Sequence, residues 1–184
     1  MNQLSSFTPH TPQTLQEANP TLNSLTFRTP VLADAPSILD LVKTCEPLDL
    51  NSPYLYMLLC EHFQATCLIV QAQGELVGFV SCYYPPEKPD VLFVWQIAVH
   101  PAWRCKGLGS AMLNYTLDNH ATPNTRFIEA SVTPSNLASR RLFDSLACRL
   151  KVQHETSVWF AGTLFNEAGH QDEILHRIGP LTTK

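Results

Sequence analysis

Apolar runs alternate with polar turns along the chain from about residue 25 onward. The strongest run, Val91 to Val99, is rich in β-branched and aromatic residues, which is typical of a central strand covered on both faces. Pro101 ends this run because proline has no amide hydrogen to donate to a sheet. From Leu108 to Tyr115, apolar residues return at helical spacing. The glycine-rich turn at residues 104–109 therefore joins a buried strand to the start of a helix.

The remaining periodicity predicts six further strands and three further helices. The strands are expected at residues 25–29, 66–71, 76–84, 125–132, 148–154 and 156–160. The helices are expected to begin at Asp34, Ser52 and Asn136, because these residue types cap helix N-termini. In the second of these helices, four residues fall on one side: Tyr54, Met57, Leu58 and Glu61. In the third, three leucines are expected to be buried: Leu137, Leu142 and Leu146.

The length of 184 residues suits one domain of ordinary size. Residues 1–24 are polar and without periodicity, which predicts a disordered tail, and residues 25–184 are expected to form the domain. The net charge of −4 gives no basic surface for nucleic acid. No apolar run approaches the ~20 residues of a membrane span, and the N-terminus lacks a secretory pattern. A cytoplasmic protein is therefore expected.

The cysteines and histidines show no metal-binding spacing. Six cysteines, at positions 45, 60, 67, 82, 105 and 148, include no C-x-x-C pair and lie mostly in apolar segments. They are expected to be buried, reduced thiols. The seven histidines form no H-x-x-x-H motif and no Cys/His cluster, so no metal site is predicted.

The junction between the central strand and the following helix has the chemistry of an anion site. The first amides of a helix lack internal acceptors and carry the positive end of the helix dipole. Gly107 and Gly109 leave room for a phosphate to approach. Arg104 and Lys106 add positive charge, and Ser110 adds a hydroxyl group. The spacing fits neither a Walker A nor a Rossmann loop, and a plain turn is the alternative on this pattern alone.

The same turn resembles the Arg/Gln-x-x-Gly-x-Gly/Ala signature of the GCN5-related N-acetyltransferases (GNAT), and it follows the Val99-His100-Pro101 element typical of that family. A second family element, Asn-x-x-Ala/Ser-x-x-Leu-Tyr, is matched by residues 136–143. On these two elements the chain is identified as a member of the family. The resemblance implies an α/β (α+β) fold. A twisted, mainly antiparallel sheet with a splayed central strand would be flanked by helices.

The resemblance also implies the ligands. Acetyl-CoA would be the co-substrate, without a metal. The turn would hold its pyrophosphate, and the backbone of the central strand would pair with its pantetheine arm. The implied cofactor contacts are Ile97, Ala98, Val99, Arg104, Lys106, Gly107, Leu108, Gly109, Ser110, Asn136 and Phe143. A homodimer is implied as well.

Two positions depart from the family pattern. Some members carry a glutamate base on the central strand, where this chain has Phe93. Many members use a tyrosine as the acid for the thiolate, where this chain has Phe143. The first departure directs attention to carboxylates and imidazoles outside the strand as candidate bases. Water, or another hydroxyl group such as that of Tyr115, would reprotonate coenzyme A.

Four segments narrow the resemblance to the L-2,4-diaminobutyrate acetyltransferases of ectoine synthesis. They are residues 49–54, 58–60, 95–101 and 169–173. The resemblance runs from about Thr26 to Leu181. It implies that acetyl-CoA acetylates the 4-amino group of L-2,4-diaminobutyrate, a small diamine that also carries a carboxylate.

Such an acceptor needs anions for its amines and donors for its carboxylate. The resemblance implies that Asp49 holds an ammonium group, that Glu173 holds the other amine or accepts its proton, and that Trp95 forms the wall beside the acetyl group. These three residues are the implied catalytic set, and all three contact the acceptor. Further acceptor contacts are implied for Asn51, Tyr54 and His170.

Each of these residues has a structural alternative. Asp49 and Asn51 suit local turn hydrogen bonds, and Trp95 suits a core. Asp172-Glu173 suits a solvated helix start. His154 and His170 are reserve bases with structural alternatives.

Three other functions compete with this interpretation. They are an acetyltransferase for another amine, a non-catalytic acetyl-CoA sensor, and an interaction protein with degenerate loops. The absence of the usual Glu and Tyr keeps the sensor as an alternative, whereas the intact R-C-K-G-L-G turn argues against the interaction protein.

Overall fold

The apolar run at the centre of the chain forms a middle strand of one mixed sheet. The computed structural model describes residues 24–166 and 169–182, and these contain seven strands and four α-helices. The strands are β1 (Leu25–Arg28), β2 (Leu68–Ala72), β3 (Glu75–Tyr83), β4 (Val91–Val99), β5 (Phe127–Val132), β6 (Gln153–Phe160) and β7 (Glu173–Gly179). The helices are α1 (Ala35–Lys43), α2 (Pro53–His62), α3 (Leu108–Asn119) and α4 (Leu137–Leu150). The predicted disordered tail lies outside the described residues, except for Ser24.

The sheet has the order β1-β2-β3-β4-β5-β7-β6. Neighbouring strands are antiparallel except β4 and β5, which run parallel, so the predicted mainly antiparallel sheet is confirmed. Pairing between β4 and β5 extends only from Val91 with Phe127 to Val94 with Ala130. Beyond Val94 the two strands part. The predicted splay of the central strand is therefore present.

Helices cover the sheet on both faces. On one face, α1 and α2 pack against β2, β3 and β4, with Ile38, Tyr56 and Phe79 in the shared core. On the other face, α3 and α4 pack with Met112 and Phe143 in the core. β4 contributes to both cores, which explains its continuous apolar sequence, because each face of the strand needs an apolar side chain.

The last two predicted strands were placed wrongly. Helix α4 continues to Leu150, and residues 153–160 form one strand, β6, rather than the ends of two. The strand β7 was not predicted at all; Glu173 begins it and Asp172 precedes it in a loop, so this pair does not start a helix. β6 is exposed along nearly its whole length, so its sequence lacks the apolar alternation that marks a half-buried strand.

Two predictions of burial need correction. Leu137 is 54% exposed because it lies in the first turn of α4, ahead of the buried Phe143. In α2 the core face consists of Tyr56, Leu59 and Cys60, whereas Tyr54 and Met57 on the side named above are exposed. Cys105 and Cys148 are exposed, whereas Cys45, Cys60, Cys67 and Cys82 are buried as predicted.

Within residues 24–166 and 169–182, no helix combines the length and the apolar character that a membrane span requires. In the same ranges, no group of three or more His, Cys, Asp or Glu side chains has the geometry of a metal site.

Candidate active site

A β-bulge in β4 marks the point where β4 and β5 part. Ser81 of β3 pairs with Gln96, but the next residue, Cys82, pairs with Val94, so Trp95 is the extra residue. The Trp95 side chain is 39% exposed, which separates it from the buried strand residues before it and argues against simple core packing. The bulge therefore turns an aromatic side chain out of the core at the mouth of the splay.

Gln96 ties this bulge to the loop between α1 and α2. Its Nε2 donates to the backbone carbonyl of Asp49 at 2.9 Å, and its Oε1 accepts from the hydroxyl group of Tyr56 at 3.5 Å. Its backbone amide donates to the Oγ of Ser81 at 3.1 Å, because the bulge displaces it from the regular ladder. Gln96 is 4% exposed, so these hydrogen bonds satisfy a buried amide. They hold Asp49 beside the splay.

The α1–α2 loop presents polar side chains at this position. Asp49 is exposed, and the Nδ2 of Asn51 lies 3.4 Å from the Asp49 carbonyl, so the predicted turn hydrogen bond is present. Ser52 caps α2 by accepting from the amide of Leu55. Tyr54 follows in the first turn of α2 and is strongly exposed. This hydrogen bond uses the backbone carbonyl of Asp49, so the Asp49 carboxylate takes no part in it.

The β6–β7 loop brings Glu173 to the same end of the sheet. Glu173 begins β7, and its neighbour Ile174 pairs with Val132 at the C-terminal end of β5. The loop is held by Asp172, whose Oδ1 accepts from the amide of Gly162 at 2.7 Å, and by Gln171, whose Oε1 accepts from the amide of Ser135 at 3.0 Å. Asp172 is thus a structural residue of the loop.

His170 lies in that loop and stacks on Phe165, with ring centroids 3.7 Å apart and planes at 7°. Its Nδ1 is 2.7 Å from the carbonyl oxygen of Gln171. The donor in this contact is the ring nitrogen, since a carbonyl only accepts. His170 therefore has a fixed ring orientation, with Nε2 as its remaining nitrogen.

The turn before α3 has the geometry of an anion site. Gly107 adopts φ 81°, and a Cβ at this position would meet no atom within 4 Å. The N-terminus of α3 has no side-chain cap, unlike α2 and α4, which Ser52 and Asn136 cap. The first amides of α3 therefore face open space beside a glycine and suit a phosphate.

The two cationic side chains of the turn have contacts of their own. Arg104 donates from Nε to the carbonyl of Val99 at 3.2 Å and from Nη2 to the carbonyl of Thr44 at 3.1 Å. It joins the end of β4 to the end of α1. The Nζ of Lys106 lies 5.4 Å from the ring centre of Trp103. Both side chains are exposed, so their charge remains close to the turn.

The N-terminal halves of α3 and α4 lie close to each other on one face of the sheet. A Cβ at Gly109 would meet Leu142 of α4 at 3.5 Å, an ordinary contact, so packing alone does not require glycine there. Asn136 caps α4 by accepting from the amide of Ser139 at 3.1 Å. Phe143 is buried one turn further along α4 and faces His176, with ring centroids 6.0 Å apart.

Aromatic rings close the position at which related enzymes carry a glutamate base. Phe93 packs against Tyr83 and against Trp159, each with ring centroids 5.2 Å away. Tyr115, named above as a hydroxyl group for coenzyme A, stacks on Phe27 of the edge strand β1. β1 is three strands from β4, so this stacking holds the Tyr115 ring on the β1 side of the sheet.

Two clefts, of about 430 and 330 Å³, open beside His100 and Leu76. They lie along the β2–β3 hairpin, on the β3 side of β4, whereas the splay is on the β5 side. The larger cleft is lined in part by Trp103. Neither cleft contains the residues that the sequence predicts for the acceptor.

The sequence did not predict Gln96, Ser81 and Tyr56 as the residues that fix the α1–α2 loop to β4. A signal was present, because Gln96 is a polar residue inside an otherwise apolar strand. A buried amide needs partners, so this position predicts a hydrogen-bonded network. Which partners it finds depends on the bulge, and the sequence gives no direct sign of that.

Comparisons with known proteins find relatives over most of the chain. The sequence pattern of the Acetyltransferase (GNAT) family matches residues 35–147. The L-2,4-diaminobutyric acid acetyltransferase of Marinococcus halophilus is 42% identical over 164 residues, which cover 89% of this chain and 95% of that protein. The protein of the same name from Bordetella parapertussis is 45% identical over 157 residues, which cover 85% of this chain and 84% of that protein.

A solved structure is similar over the same extent. It is the diaminobutyrate acetyltransferase EctA from Paenibacillus lautus, in complex with its substrate L-2,4-diaminobutyric acid and coenzyme A. It is 39% identical to this chain, with a TM-score of 0.83, and the match covers 87% of this chain and 97% of that one.

Proposed function

Since the chain belongs to the L-2,4-diaminobutyric acid acetyltransferases of the GNAT family, we propose that it transfers the acetyl group of acetyl-CoA to the 4-amino group of L-2,4-diaminobutyrate, a step of ectoine synthesis. One observation of the structure carries the proposal. The bulge at Trp95, the loop of Asp49 and the start of β7 at Glu173 lie at the same end of the sheet, the end at which β4 and β5 part, and this supports the proposal.

The residues of the splay and the turn fit acetyl-CoA. The second half of β4, including Ile97 and Val99, has β3 as its only strand neighbour among the described residues, so its other edge is open to a pantetheine arm. The amides of Leu108, Gly109 and Ser110 at the start of α3 would bind the pyrophosphate beside Gly107. Acetyl-CoA supplies the activated acetyl group when bound.

The acceptor side must remove a proton before the amine can attack. An alkyl amine with a pKa near 10 is mostly protonated at neutral pH, which costs ~4 kcal/mol. We assign this proton to Glu173 and the binding of an ammonium group to Asp49, because Gln96 holds the Asp49 loop next to the exposed Trp95, whereas Glu173 begins β7 beyond the end of β5. Asn51, Tyr54 and His170 supply polar contacts around them.

Release of free thiol from acetyl-CoA tests the proposal. The purified protein is incubated with L-2,4-diaminobutyrate and, in parallel, with ornithine, lysine and spermidine, and the product is identified by NMR. We expect the highest kcat/KM for diaminobutyrate, with the acetyl group on the 4-nitrogen. Turnover with another amine alone would retain the family and discard the substrate. Binding of acetyl-CoA without any turnover would support a sensor.

We also propose that the protein is a homodimer in the cytoplasm, where it draws on the cellular pool of acetyl-CoA. The edge strand β6 supports the dimer. It exposes Val158, Trp159 and Phe160, and Leu164 beyond it is 72% exposed. An apolar edge strand left uncovered promotes uncontrolled association, so a self-complementary partner is expected on it.

Sedimentation of the wild type and of Val158→Lys tests the dimer. We expect a dimer for the wild type and a monomer for the variant, because a buried lysine at the edge would lack a partner. A wild-type monomer at all concentrations would contradict this proposal and leave the acetyltransferase assignment intact.

A further inference from the structure

A second cluster of titratable side chains lies on the α4 side of the sheet, away from Asp49 and Glu173. The Oδ1 of Asp144 is 3.0 Å from the Nδ1 of His154, and the Nε2 of His154 is 2.9 Å from the Nδ1 of His176. Asp144 is exposed, whereas His176 is 3% exposed. The three side chains form a hydrogen-bonded path from solvent into the core.

The inner end of this path lies close to the splay. His176 of β7 is directly opposite Ala130 of β5, and Ala130 is opposite Val94, the last residue of β4 that pairs with β5. Residues in register on neighbouring strands are about 5 Å apart and project from the same face. Ala130 offers only a methyl group between the His176 ring and the point where the strands part.

The same ring lies beside Phe143, the position at which many family members carry an acidic hydroxyl group. The two ring centroids are 6.0 Å apart. A phenyl ring cannot donate a proton, and the hydroxyl group of Tyr115 is at the other edge of the sheet. The imidazole of His176 is therefore a donor beside Phe143, close to the position that the missing tyrosine hydroxyl group would take.

The charges around His176 favour its neutral form at rest. Burial lowers its pKa, and the positive charges of His154 and Arg140 lower it further, while Asp144 opposes them. The charged pair Glu129 and Arg177 projects from the opposite face of β5 and β7. A neutral imidazole that carries its proton on Nε2 can donate that proton only if its Nδ1 receives a second proton. His154, whose Nε2 lies next to Nδ1 of His176, can supply it.

We propose that His176 protonates the departing coenzyme A thiolate, with His154 and Asp144 as its proton supply. The inference rests on the proposed function. The Nε2–H bond of His176 breaks as the S–H bond forms, and the proton on Nε2 of His154 moves to Nδ1 of His176. His154 keeps its Nδ1 proton, which it donates in a hydrogen bond to Asp144. One proton from solvent then returns the three side chains to their starting state. No group is oxidised or reduced.

Nitrogen NMR of histidine-labelled protein tests the placement without requiring turnover. Coenzyme A and desulfo-coenzyme A, which lacks only the sulfur, are titrated separately. We expect the ¹⁵N shifts of His176 to change with coenzyme A and to remain unchanged with the desulfo analogue. His120, at the end of α3 beside Tyr115, has a pKa that burial also lowers and should respond to neither. Equal responses of His176 to both ligands would overturn the proposal.

The kinetics of His176→Gln test whether His176 is the proton donor for the thiolate. We expect kcat to fall about 100-fold, with both KM values kept within about twofold, because proton transfer by a positioned group contributes roughly 10²–10⁴. His120→Gln is the matched control and should keep kcat. A kcat loss equal in the two variants, or a normal kcat in His176→Gln, would contradict the proposal.

Asp144→Asn keeps the test available if His176→Gln does not fold, because Asp144 is exposed. We expect kcat to fall several-fold with both KM values kept, since an amide in place of the Asp144 carboxylate holds the Nδ1 proton of His154 less strongly. An unchanged kcat in Asp144→Asn would count against the proton supply through His154. If the wild type acetylates no diamine, the proposed function fails, and the NMR titration still decides the position of His176.

Discussion

The two halves of β4 differ more than any other adjoining segments of the sheet. The first half, residues 91–94, pairs with β5 throughout and with β3 at Phe93 and Val94, and each side chain is nearly inaccessible. The second half, residues 95–99, begins with the exposed Trp95 and, among the described residues, pairs with β3 alone. One strand thus contributes first to the core and then to the site.

The bulge at Trp95 makes this change possible. Without the extra residue, the alternation of the first half would continue, and Gln96 would exchange faces with its neighbours. With it, Gln96 points toward the α1–α2 loop and holds Asp49, while the edge toward β5 is released. The difference between the halves suggests that damage to the first should affect stability and damage to the second should affect binding.

The largest expected effect is on stability, in the first half. Leu92 is fully buried, so Leu92→Ala should lower the free energy of unfolding by about 2–5 kcal/mol through lost burial and a cavity. Urea unfolding measures the loss, and calorimetry below the unfolding range should give an unchanged Kd for acetyl-CoA.

Ile97→Ala is the matched change in the second half. Ile97 is half-buried, and its proposed role uses the backbone, so we expect a loss of only about 1 kcal/mol. A larger loss for Ile97→Ala than for Leu92→Ala would remove the distinction between the halves.

The next effect concerns the turn that follows the second half. Gly107→Asp should weaken acetyl-CoA binding about 100-fold, or ~3 kcal/mol, because a carboxylate enters the open space beside the α3 amides. Gly74 of the β2–β3 turn also has a positive φ and an open Cβ position, so Gly74→Asp carries the same backbone strain. Calorimetric titration should show normal affinity for Gly74→Asp; equal losses would assign the effect to strain alone.

The contrast between the halves also explains what the sequence could predict of the fold. Val91–Val99 and the helix at Leu108 were predicted because their apolar side chains are locally periodic and buried. β7 was missed because Glu173, His176 and Arg177 interrupt its apolar residues, and its partners β5 and β6 are what bury it. Burial through distant neighbours leaves little local pattern.

The site was predictable to the extent that it resembles family elements. The turn at 104–109, Asp49, Trp95 and Glu173 were named from the sequence, and the structure brings the last three to one end of the sheet. The anchoring of Asp49 by Gln96 was not predicted, since it depends on a one-residue bulge. The hydrogen-bonded path ending at His176 was not predicted either, because His154 and His176 are brought together only by the pairing of β6 and β7.

A smaller effect, on substrate binding, is expected at Asp49 in the α1–α2 loop. Asp49→Ala should raise the KM for diaminobutyrate by about 10- to 100-fold, since a charge-assisted hydrogen bond to the ammonium group contributes roughly 1.5–3 kcal/mol. Steady-state kinetics should show an unchanged KM for acetyl-CoA. Asp40→Ala is the control, because Asp40 is an exposed aspartate on α1 paired with Lys43. An unchanged KM in Asp49→Ala would reduce Asp49 to a turn residue.

The smallest expected effect is a change in the labelling rate of a cysteine, which distinguishes the turn from the rest of the surface without any mutation. Cys105 lies in the turn and Cys148 on α4, and both are exposed, whereas burial raises the pKa of Cys67 to about 12. Mass spectrometry after brief iodoacetamide treatment should therefore find label on Cys105 and Cys148 and none on Cys67, since the thiolate is the reactive form. Saturating coenzyme A should slow labelling of Cys105 several-fold, because the pyrophosphate covers the turn, and should leave Cys148 unchanged. Equal rates at Cys105 with and without coenzyme A would place the pyrophosphate elsewhere, even if the affinity were high.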